Sequence, residues 1–167
     1  MIARTERIVV DCPVQAFWDW SVATPLEDIL TGAGGLPGVI ATTPLTSGAW
    51  GAPGERRIVR LSDGSSCTEQ ILTADPPDGF RYQVWDYSTA AARPVAYALG
   101  EFRHVAVGGG RTEVVWTYAF RLRGDRFPGV LGPIGRMLMK AAFLDRAYAT
   151  LMREALEAMK AGAEGSA

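Results

Sequence analysis

Apolar and polar residues alternate with a period of two over the middle of the chain, and the alternation stops at short Gly-, Asp- and Pro-containing segments. This pattern is typical of antiparallel strands joined by tight turns. The predicted strands are residues 4–11, 55–61, 67–73, 80–87, 95–107 and 112–123. One face of the last strand carries Val114, Trp116, Tyr118, Phe120 and Leu122, which predicts a strand with one buried face.

Beyond Pro133 the hydrophobic period becomes helical. The apolar stripe consists of Met137, Ala141, Leu144, Tyr148, Leu151, Ala155 and Met159. We expect one amphipathic helix of roughly 25 residues, about 37 Å long. Two shorter helices are predicted near the N-terminus, one after Pro13 and one at residues 25–30. The pattern indicates an α+β fold in which one long helix covers an antiparallel sheet, with residues 1–161 as a single domain and 162–167 as a disordered tail.

The composition excludes several classes of function. The chain has 167 residues and a formal net charge of −1, and its basic residues form no cluster. Nucleic-acid binding is therefore not expected, because it usually requires a basic face. No apolar run approaches the roughly 20 residues that span a bilayer, so membrane insertion is not expected either.

The chain also lacks the spacing of a metal site. Cys12 and Cys67 are far apart, His104 is the only histidine, and no CxxC or HxxxH pattern occurs. We expect no metal and no other cofactor. Since no signal peptide is recognisable, we expect two reduced thiols in a cytoplasmic protein. The arginine bias, with abundant Ala and Gly, suggests a bacterial source.

Several short motifs in the strand region point to a known family. They are Gly54–Leu61, Asp63-Gly64, Glu69 with Ile71, Asp75, Phe80 with Tyr82, Pro94-Val95 with Tyr97, and Thr112–Trp116. In these motifs and in its order of elements the chain resembles the START/Bet v 1-like (SRPBCC) superfamily, and within it the polyketide cyclase/dehydrase and lipid-transport group. The resemblance implies a helix-grip fold, a curved sheet wrapped around a long C-terminal helix, with an apolar cavity between them.

Arg57 and Glu69 lie on either side of the Asp63-Gly64 turn, and the register of that turn decides whether they can meet. A loop centred on Asp63 places Arg57 opposite Glu69, whereas a strict two-residue turn puts them on opposite faces. The first register is favoured because most apolar residues nearby have odd numbers, as Arg57 and Glu69 do, and would share a face with them. Ile58 and Leu72 favour the other register. Facing the cavity, two such charges would have to pair.

A carboxylate and a guanidinium beside an apolar ligand have catalytic potential, one as proton acceptor and the other as oxyanion stabiliser. The resemblance implies that Tyr82 and Tyr97 are inward hydroxyls and that Trp116 is part of the wall. We therefore predict Arg57, Glu69 and Tyr82 as catalytic residues. The predicted ligand-binding residues are Tyr97, Trp116, Phe120, Trp20, Val59, Leu144 and Tyr148.

Each of these residues also has a structural interpretation. The Arg57–Glu69 pair could fix strand register, and the tyrosines could be core residues with satisfied hydroxyls. His104 is predicted to be a solvated strand histidine, since no nucleophile motif lies near it. The glycine-rich segment 48–54 lacks the Lys-Ser/Thr of a phosphate loop and is interpreted as a turn or a lip at the cavity mouth.

Three functions follow from the sequence. The first is an enzyme of the cyclase or dehydratase type, of lyase or isomerase chemistry, acting on a small hydrophobic substrate that carries carbonyl groups. The second is a carrier or sensor that binds a lipid or hydrophobic metabolite unchanged. The third is a protein-interaction module, for which residues 128–133 would supply the apolar surface. Both a monomer and a homodimer are compatible with the sequence.

Overall fold

The computed structural model describes residues 1–166, which contain a seven-stranded antiparallel sheet. Its strands are β1 (Ile2–Val10), β2 (Val39–Pro44), β3 (Arg56–Leu61), β4 (Ser66–Asp75), β5 (Gly79–Trp85), β6 (Val95–Gly108) and β7 (Arg111–Leu122). The spatial order is β1-β7-β6-β5-β4-β3-β2, so the N-terminal strand crosses to pair with the last one. The predicted α+β helix-grip fold is confirmed.

Four α-helices complete the fold. Helices α1 (Val14–Ala23) and α2 (Leu26–Ile29) follow β1. The C-terminal helix is divided into α3 (Gly132–Met139), a π-helix (Lys140–Tyr148) and α4 (Ala149–Gly165). It packs on the inner face of the sheet through buried α4 side chains such as Met152 and Leu156. Truncating one of these to alanine would cost about 2–5 kcal/mol, because α4 closes the core.

The edge strand β2 was not predicted from the sequence. Its residues Val-Ile-Ala-Thr-Thr-Pro show no clear alternation, and a register shift between Val39 and Ala41 interrupts its pairing with β3. Pro44 ends the strand at the sheet edge, where a missing N–H is tolerated. The other six strands were predicted within a few residues of their ends.

The hydrophobic stripe of the C-terminal helix is not continuous. Leu144, Leu151 and Met159 are buried as predicted, but Met137 is 64% exposed. The π-helix explains the difference, because its wider turn changes the phase of the side chains on either side of it. Residues 162–165 also differ from expectation, since they belong to α4 rather than to a disordered tail. Residue 167 lies outside the described residues.

Candidate functional site

A cavity of about 390 Å³ lies between the sheet and the C-terminal helix. Strands β3 to β7 supply one wall, and α2, the π-helix and α4 supply the other. The lining is mainly aliphatic and aromatic, as in sites that bind small apolar molecules. Its aromatic members are Tyr82, Tyr87, Trp116, Tyr118, Phe120, Phe143 and Tyr148.

A smaller cavity of about 60 Å³ adjoins the large one. The two share five lining residues, namely Leu26, Leu30, Glu69, Tyr82 and Trp116. Arg57 and Trp50 line only the smaller cavity. The ion pair and the Tyr82 hydroxyl therefore lie where the two cavities meet. The rest of the large cavity is mainly apolar, with Asp63, Ser65 and Thr89 among its lining residues.

Arg57 and Glu69 form a buried ion pair at this junction. They are directly opposite across β3 and β4, which confirms the register centred on Asp63. The Arg57 Nε and a terminal guanidinium nitrogen each lie 2.7 Å from Glu69 Oε2. The two side chains are only 12% and 8% exposed. Among residues 1–166, no side chain or backbone group donates a hydrogen bond to Glu69 Oε1, so this oxygen is available to a ligand.

Trp50 holds the guanidinium from its other side. The Arg57 Cζ atom lies 3.5 Å from the centroid of the Trp50 ring, a cation–π contact. Trp50 belongs to the glycine-rich segment 48–54, which was interpreted as a turn or a lip at the cavity mouth, and it brings that segment onto the smaller cavity. Gly51, at φ +109, lets the chain pass close to Val22 of α1. Arg57 is thus fixed between an aromatic face and a carboxylate.

The Tyr82 hydroxyl is held by a neighbouring indole. Trp116 Nε1 donates to it at 3.0 Å, which leaves the Tyr82 proton free to be donated elsewhere. Burial raises the pKa of Tyr82 well above its ordinary value, so the hydroxyl is neutral. Gly100 lies opposite Tyr82 in β6, and a Cβ there would overlap the tyrosine ring. The glycine makes room for Tyr82 to lie against the sheet.

The structure brings together some of the predicted ligand-binding residues and not others. Val59, Trp116, Phe120 and Tyr148 line the large cavity. Tyr97, Trp20 and Leu144 line neither cavity.

Each of these three differences has a structural cause. A register shift between Val95 and Tyr97 turns Tyr97 to the outer face of the sheet, while Val95 and Ala98 face inward. Trp20 packs against α4, where a Cβ at Gly162 would overlap its ring. Leu144 is fully buried within the core.

The expectation that His104 is solvated was wrong. It is 3% exposed, because even-numbered residues of β6 face inward and α1 packs over them. Its ring makes an edge contact with Phe17, and its Nδ1 is 2.8 Å from the Pro77 carbonyl oxygen. Burial lowers the pKa of His104. Since it lines neither cavity, its role is structural.

Sequence reasoning missed several residues of the site. Trp50, Tyr87 and Phe143 line the cavities although none was predicted to bind ligand. Tyr87 lies just after β5, and Phe143 lies in the π-helix, so neither follows a regular strand or helix pattern. Only Trp50 could have been found from the sequence, because it is an aromatic residue within the glycine-rich segment 48–54.

A polar notch of about 440 Å³ lies beside the large cavity and shares Tyr87, Ala92 and Val95 with it. We define the basic notch by its arginines, Arg93, Arg123 and Arg126. Asp86 is the only carboxylate among its lining residues. The notch therefore presents a net positive charge at one end of the cavity.

Both cysteines are free and buried, and Cys67 lines the large cavity. Burial raises the pKa of Cys67 to about 12, so it is an unreactive thiol. No group of three His, Cys, Asp or Glu side chains in residues 1–166 is placed to hold a metal ion. Across the same residues, none of the helices combines the length and the apolar character that crossing a membrane requires.

Comparison with known proteins identifies one family. The family model described as polyketide cyclase/dehydrase and lipid transport matches residues 1–164. A search of curated proteins gave no match.

Solved structures share the fold at low sequence identity. The aromatase/cyclase ZhuI from a Streptomyces species has a TM-score of 0.67 and 16% identity, with 97% of this chain and 93% of that chain covered. The di-domain ARO/CYC protein BexL has a TM-score of 0.68 and 21% identity over 98% of this chain. This chain spans 47% of BexL. Ara h 8.0201 has a TM-score of 0.64 and 10% identity, with 98% and 97% covered.

Proposed function

The chain belongs to the polyketide cyclase/dehydrase and lipid transport family, and from this premise we propose that it binds a small hydrophobic molecule carrying carbonyl groups and cyclises or dehydrates it. The large apolar cavity would hold the body of the substrate. The reacting carbonyls would lie at the junction of the two cavities, where Arg57, Glu69 and Tyr82 meet.

The observation that carries this proposal is the arrangement of the ion pair. A buried Arg–Glu pair can also fix strand register, and the feature that makes this one chemically useful is the carboxylate oxygen that it leaves unused. Here both guanidinium nitrogens contact Glu69 Oε2, and Oε1 remains without a donor from residues 1–166. An oriented carboxylate oxygen at the wall of an apolar cavity is a suitable proton acceptor.

The reaction would be an intramolecular aldol condensation. Glu69 Oε1 takes a proton from a carbon between two carbonyls, and the resulting enolate carbon bonds to another carbonyl carbon of the same molecule. The new alkoxide takes a proton from Tyr82, which is neutral and has its proton free. Protonated Glu69 then gives its proton to that hydroxyl as it leaves, and the Tyr82 phenolate takes a neighbouring α-proton. One water is released, a double bond forms, and both side chains return to their starting states. No oxidant or reductant is needed.

The cavity would contribute by folding the substrate. A flexible chain held with its reacting carbons in contact no longer has to lose that conformational freedom in the transition state. Phe120 and Tyr148 are in edge-to-face contact at 5.0 Å and form a rigid part of the wall. Arg57, fixed by Trp50, would stabilise negative charge that develops on the enolate oxygen.

A carrier or sensor is the second candidate, and one observation favours it. Each polar group at the junction already has one partner there, Arg57 with Glu69 and Trp116 with Tyr82. Such a wall can hold an apolar ligand without reacting with it.

The two candidates are separated by incubating the protein with a linear poly-β-keto thioester and following products by mass spectrometry. The enzyme account expects a product lighter by one water. Glu69→Gln should slow its formation by about 10²–10⁴-fold, the usual contribution of a general base. Glu101→Gln is the matched control, since Glu101 lies on the outer face of β6 and lines neither cavity.

The outcome that contradicts the enzyme account is binding without conversion. If the wild-type protein binds the thioester and returns it unchanged, the carrier is the better description. Equal turnover by Glu69→Gln and the wild type would remove Glu69 from the mechanism.

A further inference from the structure

The segment between β7 and the π-helix exposes an unusual number of large apolar side chains. Six residues form what we call the apolar patch: Phe127, Val130, Leu131, Ile134, Met137 and Leu138, which are 44–69% exposed. Contiguous exposure of this kind on a folded protein marks an interaction surface, because it has a free-energy cost in water.

The patch spans a short 3-10 turn and α3. Val130 and Leu131 belong to the turn at 129–131, and Gly132, at φ +60, separates that turn from the rest of α3. Within α3, Ile134, Met137 and Leu138 recur at the three- and four-residue spacing of one helix face. Helix α3 packs chiefly on the short segments next to it in sequence, so that this face has no partner within residues 1–166. Gly135 faces the other way and allows α3 to approach the Pro128 carbonyl closely. The apolar face is therefore presented outward by the fold itself.

Positive charge lies beside the patch. Arg126 and Arg136 lie within the same stretch, and the basic notch adds Arg93 and Arg123 beside it. Among residues 1–166, no carboxylate oxygen lies within 4.0 Å of Arg93, Arg123 or Arg136, and Arg126 has only the exposed Asp125 at 3.8 Å. This concentration of charge is notable because the chain as a whole has a net charge of −1.

From this juxtaposition we propose that the apolar patch and its arginines dock on the surface of an anionic lipid bilayer. An apolar helix face bordered by Arg lies in the interface with its apolar side chains below the headgroups and its cations among them. A second copy of the chain fits the patch less well. A two-fold interface would bring the same arginines of both copies together without an intervening anion.

The position of the patch connects the bilayer to the cavity. Met139 and Phe143 follow the patch directly in sequence and line the large cavity. An apolar molecule in the bilayer would thus meet apolar side chains along the path to the interior. Docking itself does not depend on the chemistry proposed for the cavity, so each can fail without the other.

The test is sedimentation of the full chain with vesicles of phosphatidylcholine alone or mixed equally with phosphatidylglycerol. We expect binding to the mixed vesicles, lost at about 1 M salt, where the Debye length is about 3 Å. Arg126→Gln and Arg136→Gln should each weaken binding about fivefold. The double variant Ile134→Ser/Met137→Ser should weaken it at least about tenfold.

Matched controls distinguish binding through this surface from non-specific adsorption to the vesicles. Ile40→Ser and Leu45→Ser remove exposed side chains of similar size, at 60% and 51% exposure, from the β2 region. Arg103→Gln removes an exposed arginine from the outer face of β6. All three should bind like the wild type.

The proposal is overturned if the wild type fails to bind the mixed vesicles or if Ile134→Ser/Met137→Ser binds them equally well. It is also overturned if sedimentation velocity reveals a dimer that this double variant abolishes, since the patch would then be a subunit interface.

Discussion

Trp116 Nε1 donates a hydrogen bond of 3.0 Å to the Tyr82 hydroxyl, across two strands that are not neighbours in the sheet. Tyr82 is on β5 and Trp116 is on β7, and Phe102 of the intervening β6 stacks between them, 5.0 Å from the Trp116 ring. The contact joins two strands of the sheet wall at the cavity junction, so it couples stability to the geometry of the site.

Tyr82→Phe should destabilise the protein by about 1–3 kcal/mol, because it leaves the buried Trp116 N–H without an acceptor. Urea denaturation measures this change. Tyr97→Phe is the control, since Tyr97 lies on the outer face, and it should stay within about 0.5 kcal/mol of the wild type. Equal stability of Tyr82→Phe and the wild type would show that the hydrogen bond does not hold the junction.

Breaking the Arg57–Glu69 pair should be costly, whereas replacing both partners should not. Glu69→Leu alone leaves a buried guanidinium uncompensated and should cost about 3–5 kcal/mol. The double variant Arg57→Met/Glu69→Leu should recover most of that loss. The measurement is the free energy of unfolding of both variants.

The same double variant tests the role of the pair. If the pair is catalytic, the folded double variant should bind a poly-β-keto thioester and leave it unchanged. If that variant still converts the thioester at the wild-type rate, the pair serves strand register alone.

We expect the free energy of unfolding to fall in weakly acidic solution because of His104. Burial lowers its pKa in the folded state, so the unfolded chain, with a histidine pKa of about 6.5, takes up the proton first. The full stabilisation is present above about pH 6.5 and is lost as the pH falls through the folded-state pKa. His104→Gln, which keeps a donor for the Pro77 carbonyl, should flatten this part of the curve of unfolding free energy against pH.

A matched measurement on the wild type and His104→Gln between about pH 8 and pH 5 checks the sign. Parallel curves would mean that His104 is not the group responsible. The lone histidine makes the comparison simple, because no other imidazole titrates in this range.

The register of Arg57 and Glu69 was predictable because most apolar residues on the two strands alternate in phase with them, and the structure pairs the two residues directly. Tyr97 was placed wrongly because a register shift lies two residues before it, and the sequence carries no mark of that shift. Met137 was placed in the core for a similar reason, since the π-helix changes the phase within an unbroken helical pattern. Local irregularities of the backbone decide which side chains reach the cavity, and periodicity does not reveal them.

The central claim is that the space between the sheet and the C-terminal helix binds a small hydrophobic molecule, and blocking that space tests it most directly. Val59→Trp adds an indole to the cavity wall, while Ile58→Trp adds one on the opposite face of the same strand. Titration with the neutral probe N-phenyl-1-naphthylamine, followed by its fluorescence, should give saturable binding to the wild type and Ile58→Trp. Val59→Trp, folded by circular dichroism, should have lost it. Undiminished probe binding by folded Val59→Trp would contradict the account.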